Sequence, residues 1–343
     1  MPETGNTGMT ELLPWQSRLW QAMQERLRAG TMPHALLIRG PEGLGKARFA
    51  RTLAESMLCT DTDDRGLACG RCRGCTLNRA GSHPDLVIVD IPPEKKEISV
   101  DQIRALIDIL VLKPQYGRFK VVIIPSADAM KHHAANSLLK TLEEPPAGTI
   151  LLLCSSQPGR LPATIRSRCQ HLAFHLPSAA VARDWLVNQL AAGDIPLRNT
   201  GEPPEILLAM AAGAPLKAAA LAIPGMGEGR QMLLQGLEGV VTEQADPGQV
   251  AEEWLKLGVK ESLYWLYSWI VDMIRLTMTA GDTASISNPD IRLRLTALAT
   301  NIGSRRLFQH LDKTVQALQL LDHPLNQQLM LEELLIYWSI KVR

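Results

Sequence analysis

The chain has 343 residues, which is long for one domain and predicts two or three. Hydrophobic residues make up 46% and charged residues 21%, so folded cores are expected and wholesale disorder is excluded. The formal net charge of +1 argues against a chain that holds DNA by itself, because such proteins are usually more basic.

The chain shows no sign of secretion or of a membrane span. Residues 1–10 are small and polar and do not resemble a secretory signal. The most apolar helical stretch, Leu263 to Leu276, contains Asp272 and Arg275 and is too short for a bilayer. We therefore expect a cytoplasmic protein, in which clustered cysteines are reduced and indicate metal or redox chemistry.

Up to about residue 175, short apolar runs alternate with amphipathic segments. Buried parallel strands form continuous apolar runs, and helical crossovers join them. This alternation predicts an α/β doubly wound domain with a parallel sheet. The predicted strands are Ala35 to Ile38, Leu86 to Val89, Lys120 to Ile124 and Ile150 to Leu153. The predicted helices between them include Ala47 to Met57, Val100 to Leu110 and Ala134 to Leu142.

A glycine-rich turn follows the first predicted strand. It has the spacing G-x-x-x-x-G-K, with Gly40, Gly43, Gly45 and Lys46, and a helix follows it directly. Glycines let backbone N–H groups point at phosphate oxygens, and the helix N-terminus adds positive potential. The sequence predicts a phosphate loop in which ATP or ADP could bind.

The groups that would organise a metal ion at this loop are missing. The residue after the lysine is Ala47, where an active site needs a hydroxyl to coordinate Mg²⁺. The strand Lys120 to Ile124 runs into Pro125-Ser126 instead of an acidic pair, and Asp128 lies too far beyond its end. We therefore expect no ATP hydrolysis by this chain.

Four cysteines lie close together in the sequence, as Cys59 and the C-x-x-C-x-x-C run of Cys69, Cys72 and Cys75. Four thiolates at such spacing can close tetrahedrally on Zn²⁺ and leave no open position for catalysis. A redox pair needs one C-x-x-C and fits the run poorly. The pattern predicts structural zinc, whereas Cys154 on an apolar strand is expected in the core.

A loop is predicted from Leu161 to Cys169, after the fourth strand, and it carries Arg166 and Arg168. Two interpretations are open. Both arginines could be solvated on a surface loop, or one could be an arginine finger that stabilises phosphoryl transfer on a neighbouring subunit. The residues alone do not decide between these interpretations.

Beyond about Pro177 the pattern is helical. Helices are predicted at Ala179 to Leu190 and Pro204 to Ala212, separated by a loop at 201–204. From about residue 225 a helix bundle is predicted, with interruptions at 246–248, around 281–289 and at 323–324.

Two apolar stripes in this part are expected to form core helices, with contact to a partner as the second possibility. The first stripe comprises Trp254, Leu257, Leu263, Leu266, Ile270, Met273 and Ile274. The second, on a helix from Asn326 to Ile340, comprises Leu329, Leu331, Leu334, Leu335 and Trp338.

Several motifs together resemble the bacterial DNA clamp-loader subunits of the AAA+ superfamily. They are the phosphate loop, the four cysteines, Pro33-His34-Ala35, His83-Pro84-Asp85, Leu138 to Pro146 and Ser167-Arg168-Cys169. The resemblance is strong over residues 12–175 and rests on architecture alone beyond them. It implies an AAA+ domain with an inserted zinc module at 1–175, a helical lid at 176–224 and a collar domain at 225–343.

Within that family the chain resembles the delta-prime type of DNA polymerase III and not the motor type. The motor type keeps the hydroxyl and the acidic pair that Ala47 and Pro125-Ser126 replace here, and its lid carries an arginine where this chain has Lys217 one place late. Ser155 or Ser156 keeps a hydroxyl at the place of the family's first sensor.

The resemblance implies a non-hydrolysing subunit of a DNA polymerase holoenzyme. Such a subunit sits in a five-membered ring with gamma/tau-type motor subunits and the delta subunit, and offers Arg168 in trans to a neighbour's ATP. The ring loads a sliding clamp on primed DNA.

Two other functions stay open from the residues. The intact phosphate loop would suit an active ATPase motor subunit. The arginines around Cys69 to Cys75 would suit a zinc-dependent nucleic-acid-binding module, although the net charge of +1 speaks against it.

Overall fold

The computed structural model describes residues 12–192, 203–222, 226–278, 286–321 and 325–339. The chain divides into two compact units, Met1–Val181 and Ala182–Arg343. The finer division at residues 175 and 224 stays a prediction.

The first unit is built on a five-stranded sheet in the order β2-β3-β4-β1-β5. All the strand pairs are parallel. This confirms the predicted α/β class and its parallel sheet. The strands are β1 (Ala35–Arg39), β2 (Leu86–Ile88), β3 (Lys120–Ile124), β4 (Thr149–Ser155) and β5 (Gln170–Ala173).

Helices cover this sheet. The helices are α1 (Ser17–Arg28), α2 (Lys46–Leu58), α3 (Arg73–Arg79), α4 (Val100–Leu110), α5 (His132–Glu143) and α6 (Ala163–Arg168). Side chains of α4, α5 and α6 form one core cluster with alternate strand residues such as Leu37, Val122 and Leu151. The intervening strand residues, such as Leu36 and Leu152, are also fully buried. The helix α2 packs against β1, β3 and β4, and its Phe49 is fully buried as well. Burial of both faces explains why the strands are continuous apolar runs.

Two elements of this unit differ from the sequence prediction. The segment predicted as a loop from Leu161 to Cys169 contains the helix α6, and β5 was not predicted at all. β5 lies at the edge of the sheet with Gln170 and His171 exposed, so it lacks an apolar run.

The second unit is helical wherever it is described, and α7 (Ala179–Ala192) spans the boundary between the units. The other helices are α8 (Pro204–Met210), α9 (Pro215–Leu221), α10 (Met226–Val241), α11 (Pro247–Leu257), α12 (Val259–Met278), α13 (Arg292–Ile302), α14 (Ser304–Leu320) and α15 (Gln327–Ser339). A small core joins α7, α8 and α9, and a larger one joins α10 to α15.

The structure corrects part of the prediction for the two apolar stripes of this unit. Gly258, with a φ of 108°, separates α11 from α12, so the first stripe belongs to two helices. Leu257 and Leu329 are 38% and 59% exposed, whereas the other residues of both stripes are buried.

The predicted interruptions are tested only in part. The interruption at 246–248 agrees with Asp246 capping the start of α11, and α8 begins at Pro204, where the predicted helix begins. The predicted breaks at 201–202, 281–285 and 323–324 lie outside the described residues.

Among the described residues, no single helix is long and apolar enough to cross a membrane. The helices α8 and α9 meet such a criterion only when joined, and they are bent by 109° relative to each other.

Candidate functional site

The phosphate loop lies at the carboxyl end of β1 and has the backbone conformation that its glycines permit. Gly43 and Gly45 have φ of 79° and 74°, in the left-handed region that favours glycine. A Cβ on Gly40 would lie 2.3 Å from the backbone oxygen of Phe174, so this glycine allows two chain segments to approach closely. The loop therefore keeps its shape through the packing of the chain itself.

The segment before α1 fixes the other side of the loop. The Gln16 side chain is fully buried and donates to the carbonyl oxygens of Leu44 and Gly45 at 3.2 and 3.0 Å. Trp15 Nε1 donates to the Leu44 oxygen at 3.0 Å. These bonds give the Leu44 oxygen two donors, and they add a second donor to the Gly45 oxygen, which also accepts the Phe49 N–H at 2.9 Å.

The lysine of the loop is bonded within the chain. Lys46 is buried, and its Nζ donates to the Pro41 oxygen at 2.7 Å and to Ser156 Oγ at 2.9 Å. Ser156, and not the buried Ser155, therefore presents the hydroxyl expected near this loop. An incoming phosphate would have to replace these two oxygens at the ammonium group.

Among the described residues, two groups that organise Mg²⁺ at an active ATP site are missing, namely a hydroxyl after the loop lysine and an acidic pair after β3. Ala47 is the second residue of α2 and has no hydroxyl. Pro125 and Ser126 follow β3, and the Asp128 carboxylate accepts the backbone N–H of Ser156 at 3.3 Å. The described residues thus contain the phosphate-holding part of the loop without its Mg²⁺-organising partners.

The four predicted cysteines meet at one point, where they could hold a metal ion. The Sγ atoms of Cys59, Cys69, Cys72 and Cys75 all lie within 4.8 Å of one another. Cys59 and Cys72 are 3.8 Å apart, and Cys69 and Cys75 are 4.0 Å apart. Tetrahedral zinc with ligand bonds of about 2.3 Å requires sulfur separations of roughly 3.8 Å. The cluster therefore has the size of a four-thiolate site.

Backbone N–H groups are directed at three of the sulfurs. Cys59 Sγ accepts from Asp61 and Cys69, Cys69 Sγ accepts from Cys72, and Cys72 Sγ accepts from Cys75, at 3.3 to 3.4 Å. Burial raises the pKa of Cys72, but hydrogen bonds from Thr60 and Cys75 outweigh it and lower the pKa to about 6. Such bonds favour the thiolate form that a metal requires.

The fourth cysteine of the cluster, Cys75, shows why these four ligands suit a cation. Burial, reinforced by the neighbouring sulfurs, raises the pKa of Cys75 well above its usual range. Four thiolates cannot coexist in this space without a positive charge between them, and a divalent metal ion supplies that charge. The donor set and its geometry thus agree with a structural metal site.

The arginines near the cluster are engaged with other groups. Arg71 pairs with Asp61 at 2.9 Å, and Arg79 donates to the Gly70 oxygen at 2.7 Å. Arg73 lies over the Tyr116 ring, 5.0 Å from its centroid. These contacts bind the module to itself and to the segment that follows α4.

The motif His83-Pro84-Asp85 connects the cysteine cluster to the sheet. Asp85 is fully buried and accepts the backbone N–H groups of Gln115 and Tyr116 at 2.8 and 2.7 Å. The His83 ring contacts Tyr116 edge-on. Lys120, also buried, donates to the carbonyl oxygens of Ile109 and Leu112 at the end of α4. The motif is therefore explained by loop anchoring.

Arg168 lies at the end of α6, away from the contacts of the phosphate loop. Its Nε and Nη2 contact Glu143 Oε1 at 2.8 and 2.5 Å, and its Nη1 donates to the Thr164 oxygen at 3.0 Å. Its side chain is 35% exposed. Ile165 and Cys169 on either side are buried in the sheet core, so the backbone that carries Arg168 is anchored.

The other two cysteines belong to the core, as expected for Cys154. Cys154 is fully buried on β4, and Cys169 is buried beside α6. Burial raises the pKa of Cys169 to about 11, so its thiol stays protonated at neutral pH. In the second unit, Lys217, one place after the position of the lid arginine that the resemblance implies, lies over the Tyr264 ring, 5.8 Å from its centroid.

Sequence reasoning missed the residues that support these sites. It gave no role to Gln16 or Trp15, and it did not connect Glu143 with Arg168. Nothing in the sequence pairs positions 25 residues apart, because the bond depends on the packing of α5 against α6.

Comparison with known proteins agrees with this arrangement. Family models described as DNA polymerase III, delta subunit, and as the C terminal of that subunit match residues 15–178 and 227–339. The chain is 36% identical to DNA polymerase III subunit delta' of Pseudomonas aeruginosa, over 96% of this chain and 98% of that one. The chain belongs to the DNA polymerase III delta' family. The delta' subunit of Escherichia coli K12 is 30% identical over 86% of this chain and 84% of its own.

Other polymerase III subunits resemble the chain less completely, either in the part they cover or in sequence identity. DNA polymerase III subunit tau of Salmonella typhimurium is 39% identical over 48% of this chain and 25% of its own length. A DNA polymerase III gamma subunit-related protein of Thermotoga maritima aligns with 96% of this chain at 18% identity and a TM-score of 0.43. The two delta' subunits thus match a larger share of this chain than the tau subunit does.

Proposed function

We propose that the chain is a non-hydrolysing delta' subunit of the DNA polymerase III clamp loader that supplies Arg168 to the ATP of a neighbouring motor subunit. The observation that carries the proposal is the state of its own ATP site. Lys46 Nζ is bonded to the Pro41 oxygen and Ser156 Oγ, Ala47 has no hydroxyl, and Pro125-Ser126 stands in place of an acidic pair.

Arg168 suits the proposed role by position and chemistry. A guanidinium group is always charged and can contact phosphate oxygens with two N–H groups at once. Arg168 is partly exposed at the end of α6, between two residues that are fixed in the core. It can therefore reach a neighbour's γ-phosphate without a rearrangement of its own backbone.

Zinc has a structural role in this proposal. Cys59, Cys69, Cys72 and Cys75 would hold it, and the ion would join the segment after α2 to α3. The second unit, through the helices α10 to α15, would form the collar that holds the ring together, with motor subunits and delta as ring partners. The sliding clamp and primed DNA would be contacted within that complex.

The decisive experiment follows ATP hydrolysis in the reconstituted complex. Arg168→Ala is expected to lower hydrolysis at the adjoining ATP site by roughly 10³-fold or more, as for other arginine fingers. In a rapid-quench experiment, the amount of phosphate formed in the first turnover should fall by the contribution of one ATP site. The assembly of the complex should not change. Arg160→Ala, at an exposed arginine of the same unit, is the matched control. A full burst from the Arg168→Ala complex would contradict the finger role.

The isolated chain gives the second test. Without metal ligands it should show no ATP turnover above background. Mg²⁺-dependent turnover that Lys46→Ala abolishes would instead identify an active motor subunit.

A further inference from the structure

Arg168 shares a carboxylate with the end of a different helix. Nε and Nη2 of Arg168 both contact Oε1 of Glu143, the last residue of α5. Nη1 is bonded to the Thr164 oxygen one turn back in α6. A guanidinium group has five N–H donors, so these three contacts leave two, one on each terminal nitrogen.

Both ends of this contact are anchored. Leu142, next to Glu143, is buried, and its carbonyl oxygen is bonded to His34 Nε2 at 3.0 Å. On the other side, Ile165 and Cys169 are buried in the same core cluster as Leu142. The backbones around Glu143 and Arg168 are therefore fixed, and the ion pair determines where the long arginine side chain points.

We propose that Glu143 is a positioning residue that holds the Arg168 guanidinium in the orientation in which it meets the neighbouring subunit's phosphate. This inference rests on the proposed finger role of Arg168. Glu143 occupies the edge formed by Nε and Nη2, and one N–H on each of Nη1 and Nη2 remains for a phosphate. Carboxylate and phosphate can therefore bind at the same time.

The exposure of the pair favours orientation over stability as its role. The Arg168 and Glu143 side chains are 35% and 49% exposed, and ion pairs this accessible contribute little to folding. An arginine side chain without such a partner samples many rotamers. Binding a phosphate then restricts these rotamers, which costs conformational entropy. A side chain that is already oriented enters the transition state without that loss.

The opposite role makes an opposite prediction. If Glu143 stored Arg168 away from the phosphate, its carboxylate would compete with the phosphate, and its removal would speed hydrolysis. The sign of the rate change therefore distinguishes positioning from storage.

The test measures hydrolysis at the adjoining site of the reconstituted complex by rapid quench. Glu143→Gln is expected to lower the rate constant at that site roughly 10- to 100-fold, as misplaced catalytic groups do. The affinity for ATP should not change, and Glu143→Asp should restore part of the rate. Glu144→Gln, at the exposed neighbouring glutamate, is the control and should behave as the unmodified chain.

A double variant separates this inference from the finger role. Glu143→Gln combined with Arg168→Ala should be no slower than Arg168→Ala alone, because Glu143 acts through Arg168. A further loss in the double variant, or an unchanged or faster rate in Glu143→Gln alone, would overturn the positioning role and leave the finger role standing. An Arg168→Ala complex with full activity would remove the finger role itself.

Discussion

The cysteine cluster and the phosphate loop are both tight, glycine-containing segments of the first unit, but their polar atoms are used differently. In the cluster, four sulfurs converge on one point, and the backbone N–H groups around them favour thiolates. In the loop, Lys46 is bonded to oxygens of the chain itself, and the residues expected to bind a metal are absent. The converging sulfurs agree with a metal site, and the bonds of Lys46 within the chain agree with the proposed loss of hydrolysis.

The largest effect is expected from removing a ligand of the cluster. Cys75→Ser should lower the zinc content from one ion per chain to nearly none after dialysis against a chelator, because three ligands bind structural zinc far more weakly. Elemental analysis of the reduced protein checks this. Cys154→Ala, which removes a core thiol outside the cluster, should keep its zinc. Full metal content in Cys75→Ser would place the ion elsewhere.

The next effect tests whether the phosphate loop is held by packing. Gly40→Ala would bring a Cβ to 2.3 Å from the Phe174 oxygen, in a backbone conformation with a φ of 154°. We expect a loss of about 1–3 kcal/mol in the free energy of unfolding, measured by urea denaturation. Gly159→Ala meets no atom within 4 Å and should be nearly neutral. Equal stability of the two variants would mean that the loop can shift freely.

Proton release on zinc binding examines the cluster more finely. At pH 7, Cys72 with a pKa of about 6 is already a thiolate, so zinc binding should release fewer than four protons. Below pH 6 Cys72 becomes protonated, so the fourth proton must also leave and the affinity for zinc falls more steeply. Calorimetry in buffers of different ionisation enthalpy measures the count. Four protons at both pH values would contradict the pre-formed thiolate.

The smallest effect is an expected absence of change. Ala47→Thr restores a hydroxyl at the start of α2, yet Pro125-Ser126 still supplies no carboxylate beside β3. The isolated variant should stay at background ATP turnover in a phosphate-release assay, level with Lys46→Ala. Turnover regained by this one change would show that the loop lacks the hydroxyl alone.

The sequence predicted those elements whose pattern is set by burial. Both faces of β3 are covered, so it forms a continuous apolar run and has the predicted bounds. The helix α4 buries one side, and its apolar spacing also gave the predicted bounds. β5 and α6 could not be predicted, because one is an edge strand with exposed side chains and the other is a single short helix. The break at Gly258 was missed because its φ of 108° leaves no mark on the apolar spacing of α11 and α12.

The candidate sites divide in the same way. The cysteines and the loop glycines are close in sequence, so their spacing carried the prediction. The bonds from Gln16 to the loop and from Glu143 to Arg168 join distant segments, and chain packing alone creates them. Spacing can identify a ligand set, but it cannot show whether a group such as Lys46 is already bonded within the chain.

The Gln16 side chain has a consequence for how such motifs are read. It accepts the N–H of Leu13 and donates to two loop carbonyls, so one residue ties the beginning of the fold to the loop. The glycine spacing around Lys46 therefore reflects the backbone shape of the loop. Gln16, which is not part of the motif, helps to hold that shape. A survey that counts this signature finds the glycine spacing, whereas the bonds from Gln16 that hold the loop become visible only in the folded chain.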